Sequence, residues 1–373
     1  MKRSILLLLV LLVANTYLIH GQTAYNIYVS DAGNFTTGPY QILKFDPTGN
    51  NPQVFIDTNL AWPQDILFLE DQGVVLISNL STGEINRHDA QTGAYINHFA
   101  TGIGGPTRLK IGQDDLIYVL QWVGNGKVWR YNQDGTFVDE FTSTGVSQSI
   151  GLDWDAAGNL YVSSYTGDLV QKYSSSGVDL GTFIDTDLVG PTNIWFDDAS
   201  GDLFVADYDG GAVKRFDSDG NFIETYISGL QFPEGVAFNP VDGSMLIGNG
   251  GTAAVKLFTS SGTFIEDIVT SGDGDLLTPN AVVLRDNLLG LNQSDLELRL
   301  VRQNMGQHFV FEPAIKVSFD VVTVYNFLGE QVKTIQLAET MQWNAAGLPE
   351  GIYLLMAYKD SRRITQKIIV SKR

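Results

Sequence analysis

The chain has 373 residues, carries 42 acidic against 23 basic side chains for a net charge of −19, and contains no cysteine. The length allows a large core and two domains, while the missing cysteine excludes a disulfide framework, a thiol nucleophile and a thiolate metal site. Residues 22–287 hold 34 acidic and 11 basic residues, whereas 288–373 hold 8 and 10. That shift marks a domain boundary with a short linker at 288–295, and the acidic part repels phosphate backbones, so nucleic acid is not expected as a partner.

Met1–Arg3 is a short basic start, followed by the apolar run Ile5–Ala14 and a less apolar tail to Gly21. The run is too short to span a bilayer comfortably and reads as a secretory signal peptide over residues 1–21. Next come three strand-like runs, Asn26–Ser30, Gln41–Phe45 and Pro52–Ile56. From there the chain repeats. The clearest copy is Pro191–Tyr226, in which Asn193–Phe196, Leu203–Ala206, Val213–Phe216 and Phe222–Tyr226 are short aliphatic and aromatic runs bounded by Gly, Asp and Ser. That is strand spacing, and Asp217-Ser-Asp-Gly220 has the chemistry of a hairpin turn.

Two anchors count the copies. A proline opens the first strand at Pro63, Pro106, Pro191, Pro233 and Pro279, with Gln148 in the corresponding place of the remaining copy. The glycine of the last hairpin stands at Gly49, Gly93, Gly135, Gly177, Gly220 and Gly262. Both anchors recur every 42–46 residues, the length of a propeller blade. Five complete blades run over Trp62–Thr101, Gly105–Thr142, Ser147–Asp185, Gly190–Ser228 and Phe232–Thr270. Thr278–Leu284 has the first-strand pattern with no blade after it, and the three N-terminal strands lack a first strand. The two ends therefore share a sixth blade and close the ring, which also removes the exposed sheet edges. The expected fold is all-β: a six-bladed propeller over 22–287 followed by a second small domain.

The recurring proline, first strand, Gly-x-Leu, second strand, Asp or Asn, and aromatic before Asp-x-x-Gly resembles NHL-type propeller repeats, best seen in PTNIWF…GDLFVADYDGGAVKRFDSDG. Further on, Val324-Tyr-Asn-Phe-Leu-Gly329-Glu, Leu348-Pro-Glu-Gly-Ile-Tyr353 and Lys367-Ile-Ile-Val370 resemble the C-terminal sorting domain of type IX secretion cargo in Bacteroidetes. This resemblance implies an immunoglobulin-like β-sandwich over 296–373 that engages the secretion machinery. The protein would pass through the periplasm and end up secreted or on the outer-membrane surface. The alternating runs IYLLMAY and ITQKIIV suit such a sandwich on their own.

Polar residues at the channel mouth are the first candidates for chemistry. One set follows the opening proline: Asp65, Arg108, Asn193, Glu234 and Asn280. The other follows strand two: Asp31, Asn79, Gln121, Ser164, Asp207 and Asn249. Carboxylate and amide oxygens are hard ligands that suit calcium, although Asp and Asn at strand ends also cap turns. Gluconolactonase–regucalcin propellers carry a metal on a Glu, Asn and Asp set, and Glu234, Asn193 and Asp207 are the positional counterparts. Histidine occurs at positions 20, 88, 98 and 308, none at a channel position, which argues against a histidine base or a zinc centre there. Trp62, Trp122, Tyr165, Tyr208 and Phe232 fall near strand ends on the mouth side. Such rings can form a binding platform or pack between blades. The reading is a non-catalytic propeller that binds a protein, peptide or glycan at its mouth through Asp65, Arg108, Asn193, Asp207, Glu234 and Asn249. A calcium-dependent lactonase is the alternative.

Overall fold

The computed structural model describes residues 25–286 and, within 300–371, all but 302–304, 313–314, 316–318, 327–328 and 360–361. The expected signal peptide and linker lie outside the described residues. The chain divides into two compact units between Leu288 and Leu289.

The first unit is a ring of six four-stranded antiparallel sheets. The inner strands are Pro279–Asp286 (blade 1), Pro63–Leu69 (blade 2), Pro106–Ile111 (blade 3), Ser149–Trp154 (blade 4), Pro191–Phe196 (blade 5) and Pro233–Phe238 (blade 6). In blade 1, Pro279–Asp286 pairs with Tyr25–Asp31, which continues into Gln41–Phe45 and Gln53–Ile56. The two ends of the propeller share one blade, as the sequence predicts. One anchor needs correcting. Ser149 pairs with Ser164 as Pro191 pairs with Asp207, so Ser149, and not Gln148, takes the proline's place in blade 4. Serine there keeps an N–H that proline lacks, so composition could not mark the position.

Successive residues of a strand face opposite sides of its sheet, and each sheet here is apolar on both. Leu203 and Val205 pack against blade 4, while Phe204 between them packs against blade 6. Six such clusters fill the six interfaces, and Val29 and Leu43 against Leu246 and Val255 seal blade 1 to blade 6. Hydroxyls also bridge neighbouring blades. Ser78 Oγ donates to the Thr107 carbonyl at 2.7 Å, and Thr107 Oγ1 to that of Ser149 at 2.8 Å.

The hairpin glycines are there for the neighbouring blade as well as for the turn. Gly220 sits at φ 86°, and a Cβ on it would collide with the Phe183 carbonyl of the preceding blade. Gly229, at φ 77°, has open space around it. Gly220→Ala should therefore cost about 2–4 kcal/mol, against about 1 kcal/mol for Gly229→Ala, which carries only the left-handed backbone penalty. Urea denaturation of the two variants checks this, and equal losses would show that the interblade contact adds nothing.

The second unit is a small β-sandwich of immunoglobulin-like kind. A five-stranded sheet runs in the order Met305–Gly306, Arg362–Val370, Gly351–Lys359, Val321–Asn326, Gln331–Gln336. His308–Val310 pairs with Gln342–Asn344 to form the other layer. Phe309 and Trp343 from that layer stack on each other and share one core with Val322, Val324, Leu355 and Ile368 of the larger sheet.

Candidate binding site at the channel mouth

The inner strands begin at the channel mouth, and in five of the six blades the residue just before the strand turns the chain sharply inward. Trp62, Gly105, Gln148, Gly190 and Phe232 all do so with positive φ, between 48° and 66°. Glycine adopts that conformation freely, whereas an aromatic residue is strained in it. Trp62 and Phe232 hold it nonetheless. Strain of this kind is kept where the side chain it displays has a use.

The rings gather into a collar with one member from each of five blades. Phe35, Trp62, Trp122, Tyr165 and Tyr208 line a cavity of about 200 Å³ with Leu80, Ile150 and Thr192 in its wall and Gln64 and Glu234 at its floor. Neighbouring rings touch: Phe35–Trp62 at 5.1 Å, Trp122–Tyr165 at 5.6 Å and Tyr165–Tyr208 at 5.9 Å between centroids. Phe232 of blade 6 stands behind Tyr208 at 5.0 Å and is 45% exposed. Tyr165 Oη donates to Asp209 Oδ2 at 2.9 Å. Burial first, and then that bond, push the Tyr165 phenol up to about 12.

Below the floor, Arg108 crosses the channel axis. Its guanidinium donates to the Gln64 carbonyl at 2.7 Å, the Asn280 carbonyl at 2.9 Å and Glu234 Oε1 at 3.2 Å, and lies 3.6 Å from Asp65 Oδ1. One arginine from blade 3 thus ties together blades 1, 2 and 6. With its amide nitrogen toward Glu234 Oε1 at 3.1 Å, the Gln64 side-chain oxygen accepts from Trp62 Nε1 at 2.7 Å and Asn280 Nδ2 at 2.6 Å. A collar ring is thereby wired to the floor. Every polar partner of Glu234 ends on Oε1, and Oε2 takes none from the protein.

One guanidinium serves two buried carboxylates. Asp65 accepts the main-chain N–H groups of Ile66 and Leu109 at 2.9 and 2.8 Å, bonds that favour its ionised form. Burial still raises its pKa, against the pull of Arg108. Glu234 accepts no main-chain N–H, and burial raises it to about 7, with Arg108 pulling down and Asp65 adding to the rise. Burial thus pushes both carboxylates toward the protonated form, and Glu234 is the one with no main-chain donor to hold it ionised.

The candidates from the sequence separate into three places. Glu234 faces the mouth cavity. Asp65, Arg108 and Asn193 line a second cavity, of about 230 Å³, further along the inner strands. Asp207 and Asn249 are fully buried in neither, and each holds the loop that enters its own blade. Asp207 Oδ1 accepts the Val189 N–H at 2.6 Å and Asn249 Oδ1 the Gln231 N–H at 2.6 Å. Asp31, Asn79 and Gln121 make the same bond in their blades. Asp207 Oδ2 lies 2.7 Å from the Lys214 ammonium. Among the described residues, no three His, Asp or Glu side chains come close enough to share a metal ion. Phe35, Gln64, Thr192 and Asp209 were not legible as site residues, although Gln64 directly follows its opening proline as Glu234 and Asn280 follow theirs.

Fold and site together define a six-bladed propeller with an aromatic-lined cavity at its mouth. Residues 310–371 match the family of secretion system C-terminal sorting domains, which supports a secretion-directed cargo of the type IX system. No curated protein sequence matches the chain. Among solved structures it is similar to one titled a nidogen/laminin complex, with 15% identity, a TM-score of 0.57 and coverage of 70% of this chain and 98% of that one. It is also similar to a protein of unknown function from Bacteroides caccae, with 16% identity, a TM-score of 0.53 and coverage of 70% and 99%. Both likenesses show the propeller fold and nothing of function.

Proposed function

We propose that the propeller is a binding module without catalysis of its own, which takes a segment of a protein, peptide or glycan into the aromatic cup at its channel mouth. The 296–373 domain would hand the protein to the type IX machinery, and a signal peptide over 1–21 would bring it first to the periplasm. It would then act in the medium or on the cell surface. The observation that carries the reading is the collar itself. Five blades each supply one ring to one cavity, and Trp62 does so from a strained backbone. Rings that served only to pack between blades would not need that strain.

The alternative, a calcium-dependent lactonase on Glu234, Asn193 and Asp207, needs three oxygens within about 2.3–2.6 Å of one ion. Here Glu234 binds Arg108 and Gln64, Asp207 binds Lys214 and the Val189 N–H, and Asn193 caps the Ile194 N–H. These separate engagements favour the binding reading.

Two assays test it. A melting-temperature screen against peptides and glycans should give shifts that disappear in Trp62→Ala/Trp122→Ala. A lactone panel with calcium should give no turnover that depends on Glu234. Calcium-dependent hydrolysis lost in Glu234→Ala would overturn the proposal.

A further inference from the structure

The chemistry of the cup narrows the ligand, and the step that follows rests on the cup being the binding site. We propose that the cup binds a compact organic cation, a quaternary ammonium or alkylated amine group, held between the aromatic faces and the free oxygen of Glu234.

Three observations carry this. Glu234 is only 6% exposed as a side chain and faces the cavity, yet Oε2 has no protein partner. An unpartnered carboxylate oxygen that faces a cavity is the atom a ligand there can reach and pair with. Second, Arg108 is the one cation between Asp65 and Glu234, so the floor carries one uncompensated negative charge when both carboxylates are ionised. The lining adds no positive charge, and Asp209 at the rim adds a negative one. Third, five of the lining residues are aromatic, and aromatic rings attract a cation through the ring quadrupole, most strongly where water is excluded.

Part of the polar lining is already engaged inside the protein. Gln64 is occupied by Trp62, Asn280 and Glu234, and Thr192 Oγ1 by the Ala206 and Pro233 carbonyls at 3.2 and 3.0 Å. The Gln64 amide and the Thr192 hydroxyl are thus taken up within the protein. At about 200 Å³ the cavity is also smaller than the roughly 300–1,000 Å³ of drug-sized sites, so a head group fits and a whole sugar chain does not.

Choline and 3,3-dimethyl-1-butanol have the same shape and differ in charge, which makes them the test pair. Calorimetric titration of the full chain at fixed ionic strength should show choline binding at least about ten times tighter than the alcohol. Glu234→Gln should lose about tenfold for choline while leaving the alcohol unchanged, and Trp62→Ala should weaken both. Equal affinity for the two probes, or no choline binding at all, overturns the cation proposal. If binding of either probe is indifferent to Trp62→Ala and Trp122→Ala, the cup is not the site and the broader reading fails with it.

Discussion

Arg108→Met should lower stability by about 3–5 kcal/mol at pH 8, the largest effect of any single substitution in the channel. The methionine fills much of the space but leaves Asp65 and Glu234 buried without a cation, and frees the carbonyls of Gln64 and Asn280. Removing one partner of a buried charged cluster costs far more than the cluster contributes, because the stranded charges stay desolvated. At pH 5 Glu234 can take up a proton, so the loss there should be smaller by about 1–3 kcal/mol. Adding Glu234→Gln to Arg108→Met should recover part of the loss at pH 8 for the same reason. Urea denaturation at the two pH values measures this. A loss below about 1 kcal/mol that is the same at pH 5 and pH 8 would mean that Arg108 does not hold the blades together.

Glu234→Gln by itself should flatten the fall in stability between pH 5 and pH 8. Its carboxyl titrates at about 7 in the folded protein against an ordinary 4.5, so the folded chain holds this proton more tightly than the unfolded one. Stability from a raised group is fully present below the unfolded value and is lost as pH rises through the folded one. The displacement corresponds to about 3 kcal/mol across that window. Asp65 and Asp207 are raised too, by burial, and their contributions persist in the variant. The difference between the two pH profiles reports Glu234 together with its coupling to Asp65 across Arg108. A parallel pair of profiles would place its proton elsewhere.

Phe232→Gly is expected to leave the melting temperature unchanged or raise stability by up to about 1 kcal/mol, because it relieves a left-handed aromatic residue at a place where blades 3 and 5 use glycine. A loss above about 2 kcal/mol would instead make Phe232 a packing residue, since its contact with Tyr208 would then outweigh the relieved strain.

Most of the fold could be read from the chain because the repeat writes each blade six times. Turn glycines recur since the neighbouring blade leaves no room for a Cβ, and prolines recur since the first residue of an inner strand can dispense with its N–H. The site was harder. Asp65, Arg108 and Asn193 stand two residues after their prolines, and Glu234 and Asn280 one residue after theirs. Treating them as one ring mixes two phases. Alternation along the strand would have separated them, but the register slips just after each proline, as between Pro191 and Ile194 and between Pro63 and Asp65. No sequence rule announces such a bulge. The Asp and Asn residues after strand two were equally conspicuous, and their bond to the chain entering the same blade is a capping role that spacing alone does not distinguish from ligation. Four of the five collar rings were legible as aromatic positions; Phe35 was not, and Phe232 stands outside the cavity. That the rings converge on one carboxylate was not legible, because it depends on closure of the ring.

The most direct test of that convergence is the proton count of binding. Choline can be titrated calorimetrically at pH 7 in buffers of different ionisation enthalpy. A cation settling against Glu234, with Arg108 and Asp65 beneath it and Tyr165, Tyr208 and Asp209 above, should ionise the carboxyl and release up to about half a proton. Glu234→Gln should release none. Binding without proton release in the unmodified chain, or with equal release in the variant, would contradict the assignment of Glu234 as the charge that meets the ligand.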